Sequence, residues 1–172
     1  DSGKVLWQPH KKIGYLDQYA KIDPKLSVKS YLYDVFLPLF EKEKEMERLY
    51  ASVSHEPEEK HEKIMIWAAA LGDELIEADF YAMKSKIGNV IHGLGLDMDI
   101  LEAVIAHLSG GMRAKIILAK LLLEEADVLL LDEPTNFLDV KHIEWLSKFL
   151  NQYAKSFLVV SHHESFLSAI AQ

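Results

Sequence analysis

The chain has 172 residues, of which 49% are hydrophobic, and its formal net charge is −8 at neutral pH. This length suits one domain with a helical insertion, and the acidic balance argues against nucleic-acid binding based on phosphate neutralisation. The absence of cysteine excludes disulfides, thiolate metal sites and cysteine catalysis, and it fits a cytoplasmic protein. The sequence has neither an apolar run of bilayer length nor a signal peptide, so we expect no membrane-spanning segment.

The first residues alternate loosely between apolar and polar side chains. This pattern predicts two short strands over residues 4–16, joined by a turn at Pro9. From Ser27 the apolar spacing becomes helical, and Ser27 itself suits an N-cap. Pro38 falls inside the helical pattern, and it should kink or break the helix because proline lacks a backbone N–H.

A mostly helical stretch continues to residue 95. Its first part carries alternating charges, as expected of a solvated helix face, and the pattern breaks at residues 54–57. A helix then runs from Glu58 to about residue 71, where Gly72 punctuates it, and Asp79 is a candidate cap for the next helix. We therefore predict a helical hairpin whose tip lies near residues 54–57.

Two continuous apolar runs of strand length, residues 128–131 and 157–160, lie on either side of a helical pattern. This order predicts a βαβ unit and a parallel sheet buried on both faces. Ligands bind at the carboxyl ends of such strands. The polar residues that follow the two runs are Asp132, Glu133, Ser161 and His162.

These residue types suit phosphoryl transfer, which depends on positioning and charge neutralisation. Adjacent carboxylates can hold Mg²⁺ and position a water molecule, and a nearby histidine can contact an anion. Ser109, Gly110 and Gly111 open a further helix, and a helix N-terminus with little steric bulk binds anions. Each feature alone has an ordinary explanation as a strand terminator, a turn or a capping histidine.

In combination the motifs resemble those of ABC ATPases. The resemblance covers nearly the whole chain, and four motifs occur in the family's order. They are a Q-loop strand at Gly14 to Gln18, a signature at Leu108 to Gly111, a Walker B run at Leu129 to Asn136 with Asp139 in the D-loop position, and a switch-histidine strand at Val159 to His162.

The motif details resemble the ABC-F group within this family. Glu133 to Asn136 followed by Leu138 and Asp139 is typical of that group, as is the run from Ile143 to Leu146. About 90 residues separate Gln18 from Ser109, and helices in that interval resemble the arm of the first of two tandem ABC-F cassettes. The stretch from residue 79 to residue 96 is similar to the Firmicute branch.

The resemblance implies a fold, cofactors, partners and residue roles. The implied fold class is α/β, a partial ABC ATPase core with an inserted α-helical subdomain. The expected domains are core strands and Q-loop in residues 1–26, an arm-bearing subdomain in 27–107, and the remaining core in 108–172. ATP and Mg²⁺ are the implied cofactors, and a second cassette in a head-to-tail sandwich, the ribosome and tRNA are the implied partners. The implied roles are metal binding by Asp132 and Gln18, catalysis by Glu133 and His162, and nucleotide binding by Gln18, Ser109, Gly110, Gly111 and Asp139.

The sequence also departs from the family pattern. Met112, Phe137 and His163 stand where the family has other residue types, and no G-x-x-x-x-G-K-S/T phosphate loop occurs anywhere. Truncation is the simplest explanation, and the alternative is a gene that never carried the loop. Without that loop we expect the isolated chain to lack ATPase activity. The open alternatives are the nucleotide-binding domain of a membrane transporter, an SMC- or Rad50-like ATPase lobe, and a non-enzymatic interaction module.

Overall fold

The structure is a computed structural model that describes residue 4, residues 6–17 and residues 22–171. Its strands and α-helices are β1 Ile13–Tyr15, α1 Val28–Tyr33, α2 Leu37–Ser52, α3 Glu58–Glu77, α4 Met83–Gly93, α5 Gly110–Leu123, β2 Val128–Asp132, α6 Val140–Asn151, β3 Ser156–Val160 and α7 Glu164–Ile170. In the described ranges no helix is long and apolar enough to cross a membrane.

The chain divides into two compact units. One contains Asp1–Leu32 together with Ile87–Gln172, and the other contains Tyr33–Lys86. The helical unit of the structure is thus narrower than the subdomain expected over residues 27–107. The functional division of the chain at residues 26 and 107 stays a prediction.

The first unit contains a parallel sheet with the strand order β1-β2-β3. The predicted βαβ arrangement is confirmed, because β2 and β3 pair in parallel and α6 connects them. The prediction of two strands before residue 17 is wrong. Pro9 and His10 do form a turn, but among the described residues of that segment only Ile13–Tyr15 pairs with another strand.

The expectation of a sheet buried on both faces is also wrong. On one face Leu129 and Leu131 are buried, and a side chain of α5, Leu121, lies against β1 at Gly14. On the opposite face Leu158 is 62% exposed, and Tyr15 and Val160 are similarly open to solvent. The apolar runs therefore reflect an apolar second face that the described residues leave uncovered.

Two helices of the first unit begin at serine caps that the sequence suggested, and a third begins at an aspartate cap that it did not. The hydroxyl oxygen of Ser27 accepts a hydrogen bond from the N–H of Ser30, and Ser109 caps α5 in the same way. The Asp139 carboxylate caps α6. Each cap supplies an acceptor for an N–H group that has no partner within its helix. The helical periodicity then buries Ile143, Leu146 and Leu150 of α6 as predicted.

The second unit is built around the pair α2 and α3, which pack against each other and meet at a turn over Val53–His55. The predicted hairpin is thus present. Pro38 lies in the first turn of α2, after a 3₁₀ turn, so the chain breaks where proline was expected to break it.

Two predicted helix boundaries in this unit are wrong. α3 continues through Gly72 to Glu77, because Leu75, one turn further on, is fully buried and prolongs the apolar face. Asp79 has a left-handed backbone with φ of 51° and makes no side-chain capping bond. It precedes a 3₁₀ turn over Phe80–Ala82 instead, and α4 begins at Met83.

The end of α4 is fixed by two glycines, as the sequence predicted. Gly95 has a φ of 71°, and the N–H groups of Leu96 and Gly95 bond to the carbonyls of Ile91 and His92. These two hydrogen bonds together form the Schellman motif, which supplies donors to carbonyl groups at a helix C-terminus. Gly93 lies so close to the ring of Trp145 on α6 that a Cβ there would overlap the indole.

Substitution of two glycines in α4 should therefore have opposite effects on stability. Gly93→Ala should lower the free energy of unfolding by about 1–3 kcal/mol, because the new methyl group forces the Trp145 ring to move. Gly88→Ala is the matched control, since a Cβ there has only Met98 Sδ nearby, at 3.8 Å. That substitution should raise the free energy by about 0.5–1 kcal/mol. Urea unfolding measures both, and an unchanged midpoint for Gly93→Ala would contradict the close packing.

Candidate functional site

Polar residues meet where β2 and β3 end. Asp132 is the last residue of β2 and is paired with Val160 on β3. The N–H of Glu133 donates to the Val160 carbonyl at 2.8 Å, which extends the strand pairing by one residue. The backbone of Glu133, the first residue after β2, lies in the left-handed region with φ of 47°, an uncommon conformation for a non-glycine residue.

Glu133 and His162 are in direct contact. One carboxylate oxygen, Oε2, lies 2.8 Å from His162 Nδ1, and the other, Oε1, accepts the backbone N–H of His162 at 3.1 Å. The Glu133 side chain is 27% exposed, whereas the His162 side chain is 75% exposed. The pair therefore consists of a shielded carboxylate and an imidazole that reaches into solvent.

Two hydroxyl groups extend this network. Ser161 Oγ donates to Glu133 Oε2 at 3.4 Å, and Thr135 Oγ1 lies 3.4 Å from Ser161 Oγ. Thr135 is buried. Sequence reasoning assigned no role to either hydroxyl, although both belong to the motifs that carried the resemblance. Their position identifies them as supports for the Glu133 carboxylate.

The hydrogen bond from His162 holds the pKa of Glu133 below its ordinary value, and the attraction of the nearby imidazole adds to this effect. Asp139 also has a lowered pKa, chiefly because its carboxylate accepts the backbone N–H of His142. Hydrogen bonds to a carboxylate favour its charged form. Both residues therefore remain anionic at neutral pH.

The signature residues lie at a helix N-terminus, as predicted. Ser109 and Gly110 are exposed, and the Ser109 hydroxyl oxygen accepts the N–H of Met112 at 3.2 Å. Phe137, whose φ of 69° is again left-handed, packs its ring beside Gly111. The loop after β2 thus contacts the signature helix through Phe137, and the N-terminus of α5 remains open to an anion.

Asp139 occupies the N-cap of α6, and its carboxylate oxygen Oδ1 accepts the N–H of His142 at 3.1 Å. The carboxylate is 67% exposed. Sequence reasoning overlooked His142, although its position three residues after an N-cap marks it as a residue that can contact the capping side chain.

Of the two predicted magnesium ligands, Asp132 and Gln18, the structure describes Asp132. Within the described ranges, no group of three or more His, Cys, Asp or Glu side chains is arranged to hold a metal ion. Asp132 offers one exposed carboxylate at the strand end. This donor set fits Mg²⁺, which proteins commonly bind through one or two carboxylates while phosphates and water complete the shell. Gln18 lies outside the described residues.

Comparison with known proteins agrees with these motifs. A family model described as ABC transporter matches residues 2–136. The chain is 41% identical over 170 residues to the uncharacterized ABC transporter ATP-binding protein YfmM of Bacillus subtilis, covering 99% of this chain and 33% of that protein. It is 33% identical over 171 residues to the energy-dependent translational throttle protein EttA of Escherichia coli K12, covering 98% of this chain and 30% of EttA.

A plant protein shows the same pattern. The chain is 30% identical over 177 residues to ABC transporter F family member 2 of Arabidopsis thaliana, covering 99% of this chain and 26% of that protein. The chain thus spans a third or less of the length of these relatives. The matches confirm the resemblance to the ABC-F group.

Solved structures show the same fold. An archaeal ribosome recycling factor, aABCE1, solved in complex with the ribosomal stalk protein aP1, has a TM-score of 0.60 and 24% identity, covering 98% of this chain and 25% of that one. The ATP-binding cassette MJ0796, a dimer bound to ADP and Pi, has a TM-score of 0.53 and 20% identity, covering 92% of this chain and 56% of that one. The motifs, the fold and the family match together show that the chain belongs to the ABC transporter family and that ABC-F proteins are among its relatives.

Proposed function

We propose that this chain forms most of one cassette of an ABC-F ATPase, which binds Mg²⁺ and ATP and hydrolyses ATP when paired with a second cassette. The observation that carries the proposal is the contact between Glu133 and His162 at the aligned ends of β2 and β3. It places a carboxylate able to polarise water beside an imidazole able to contact a phosphate, as attack of water on the γ-phosphate requires.

The proton arrangement of this pair supports separate roles. A carboxylate only accepts hydrogen bonds, so His162 Nδ1 must carry the proton in the 2.8 Å contact with Glu133. The other ring nitrogen, Nε2, is then the atom available to a phosphate. Glu133 would orient the attacking water, and Ser161 would hold the carboxylate in place.

The remaining predicted site residues fit the same scheme. When bound, Mg²⁺ would neutralise phosphate charge, and Asp132 would hold it together with the phosphates and Gln18. Ser109, Gly110 and Gly111 would bind the γ-phosphate of the ATP held by the opposing cassette, through the N-terminus of α5. Asp139 would act across the same interface from the exposed N-cap of α6.

In this proposal a phosphate-binding loop would be supplied by residues outside this sequence, because none of its glycines lies in such a motif. The uncovered apolar face of the sheet, with Tyr15, Leu158 and Val160 exposed, supports this part of the proposal. Burial of that face by further chain would be favourable at roughly 25 cal/mol per Å² of apolar surface.

For the cellular role we propose that the protein acts on the ribosome and contacts tRNA, and that it is not the nucleotide-binding domain of a membrane transporter. The support is the similarity to EttA, whose name describes a translational throttle, and the packed helices α2 and α3, which lie in the sequence interval that resembles an ABC-F arm. Residues 41–63 contain eight glutamates against five lysines or arginines, so charge does not carry this assignment. A cytoplasmic location follows from the same proposal.

The isolated chain should show no ATPase activity. It lacks the loop whose N–H groups and lysine would neutralise the triphosphate, so the catalytic pair has no positioned substrate. Phosphate release in the presence of Mg²⁺ measures this, with Glu133→Gln as the background. Turnover well above that background would contradict the proposed dependence on a phosphate loop.

The pKa of Glu133 should rise when the imidazole of His162 is removed. His162→Ala takes away the hydrogen bond that lowers this pKa most, so the pKa of Glu133 should rise towards the ordinary value of a glutamate. Because the folded-state pKa is lowered, the contact stabilises the fold above the unfolded-state pKa, and this stability is lost as the pH falls through the folded-state pKa. Carboxyl ¹³C NMR measures the titration.

His163→Ala is the matched control for this titration, because His163 Nδ1 contacts Ser165 and not Glu133. The control should titrate like the unsubstituted chain. Identical titration of Glu133 in all three proteins would show that the contact with His162 does not form.

In the protein that carries this chain with both cassettes, Glu133→Gln should trap the ATP-bound closed state. The amide keeps the size of the side chain, cannot act as a base, and relieves repulsion with the γ-phosphate. Asp132→Asn should instead weaken nucleotide binding, because it removes a Mg²⁺ ligand.

Sedimentation with ribosomes and ATP should recover more Glu133→Gln than unsubstituted protein. Equal recovery would count against the ribosomal partner, and equal nucleotide affinity of the two variants would count against separate roles for the carboxylates.

A further inference from the structure

His142 lies behind the carboxylate that caps α6. Its ring atom Nδ1 is 2.7 Å from Asp139 Oδ1, which is ion-pair distance, and it makes no regular hydrogen bond in this geometry. The same Oδ1 accepts the backbone N–H of His142 at 3.1 Å. Nδ1 is shielded from solvent, and a buried polar atom that lacks a hydrogen bond lowers the stability of the fold. The Asp139 carboxylate is the acidic group that lies within ion-pair distance of this atom.

The two residues differ in exposure. The His142 side chain is 17% exposed, whereas that of Asp139 is 67% exposed. Asp139 therefore presents its carboxylate to solvent while a mostly buried ring stands behind it. Lys115 also attracts this carboxylate, and the backbone N–H of Lys141 is a further donor to it. The Asp139 carboxylate thus faces a cationic side chain on α5 and backbone N–H donors on α6.

The ring of His142 is itself held by close packing. It lies against Gly95, so closely that a Cβ at that position would overlap the imidazole. Gly95 is fixed in turn by the Schellman motif that ends α4. One helical turn further along α6, the Trp145 ring lies against Gly93 in the same manner. Two rings of α6 therefore rest on two glycines at the end of α4, which restricts movement of the His142 ring.

We propose that His142 is a positioning residue for Asp139, and that it transmits the position of the α4 terminus to the Asp139 carboxylate. The ring fills the space between the Gly95 backbone and the carboxylate, so displacement of the α4 terminus displaces Asp139. The inference rests on the proposed role of Asp139 at the interface between cassettes. His142 touches neither nucleotide nor metal in this scheme, and it acts only through Asp139.

The test compares four variants in the protein that carries this chain with both cassettes. His142→Ala should lower kcat for ATP about tenfold and leave KM unchanged, because the contact it removes is not a contact to nucleotide. His142→Asn should restore most of the activity, because its amide keeps an N–H donor near the position of Nδ1. Asp139→Asn should resemble His142→Ala, and the double variant should be no worse than Asp139→Asn alone.

His92→Ala is the matched control, since His92 is an exposed histidine near the end of α4. Its kcat should equal that of the unsubstituted protein. Multiplicative losses in the double variant, or failure of His142→Asn to restore turnover, would overturn the proposal, since both indicate a purely structural role. Normal turnover of Asp139→Asn would overturn it as well.

Hydrogen exchange separates this inference from the proposed ATPase function. Amide exchange in peptides covering residues 137–143 should quicken in His142→Ala and not in His142→Asn or His92→Ala, because the cap bond from His142 N to Asp139 weakens. This result would support the positioning role even if the unsubstituted protein hydrolysed no ATP. Unchanged exchange in His142→Ala would overturn the inference while leaving the proposed function intact.

Discussion

Parallel pairing between β2 and β3 is the constraint on which the candidate site depends. The register sets Asp132 opposite Val160, and the Glu133 N–H extends the pairing at 2.8 Å. Strands that end together bring the residues after them together, so Glu133 meets His162 although 29 residues separate them in sequence. A slip of one residue would turn every side chain of a strand to the other face of the sheet and separate this pair.

The loop after β2 is held in an uncommon backbone conformation. Glu133 and Phe137 both have positive φ, a conformation that costs a non-glycine residue about 1–3 kcal/mol. Internal bonds within the loop join Asn136 N–H to the Glu133 carbonyl and Leu138 N–H to the Thr135 carbonyl. The loop is therefore preorganised, with Glu133 directed towards His162 and Phe137 against the signature helix, before any ligand binds.

Close packing joins a second part of the first unit to this loop. Gly93 and Gly95 remove the side chains that would keep α6 away from the end of α4, so the Trp145 and His142 rings lie directly on backbone. The α6 N-cap, Asp139, follows the same loop within three residues of Asn136. The site residues on the β2 side are thus connected through α6 to the end of α4, as well as through the sheet to β3.

The sequence by itself determined the features that depend on short-range chemistry. These are the caps at Ser27 and Ser109, the break before Pro38, the strands β2 and β3, and the polar residues that follow each of these strands. Side-chain spacing of a few residues decides each of them. The tertiary structure decided that the described residues cover one face of the sheet and leave the other exposed, that α3 continues through Gly72, and that His142 rests on Gly95. Those features depend on which elements lie against one another, and an apolar run has the same sequence pattern whether or not another element covers it.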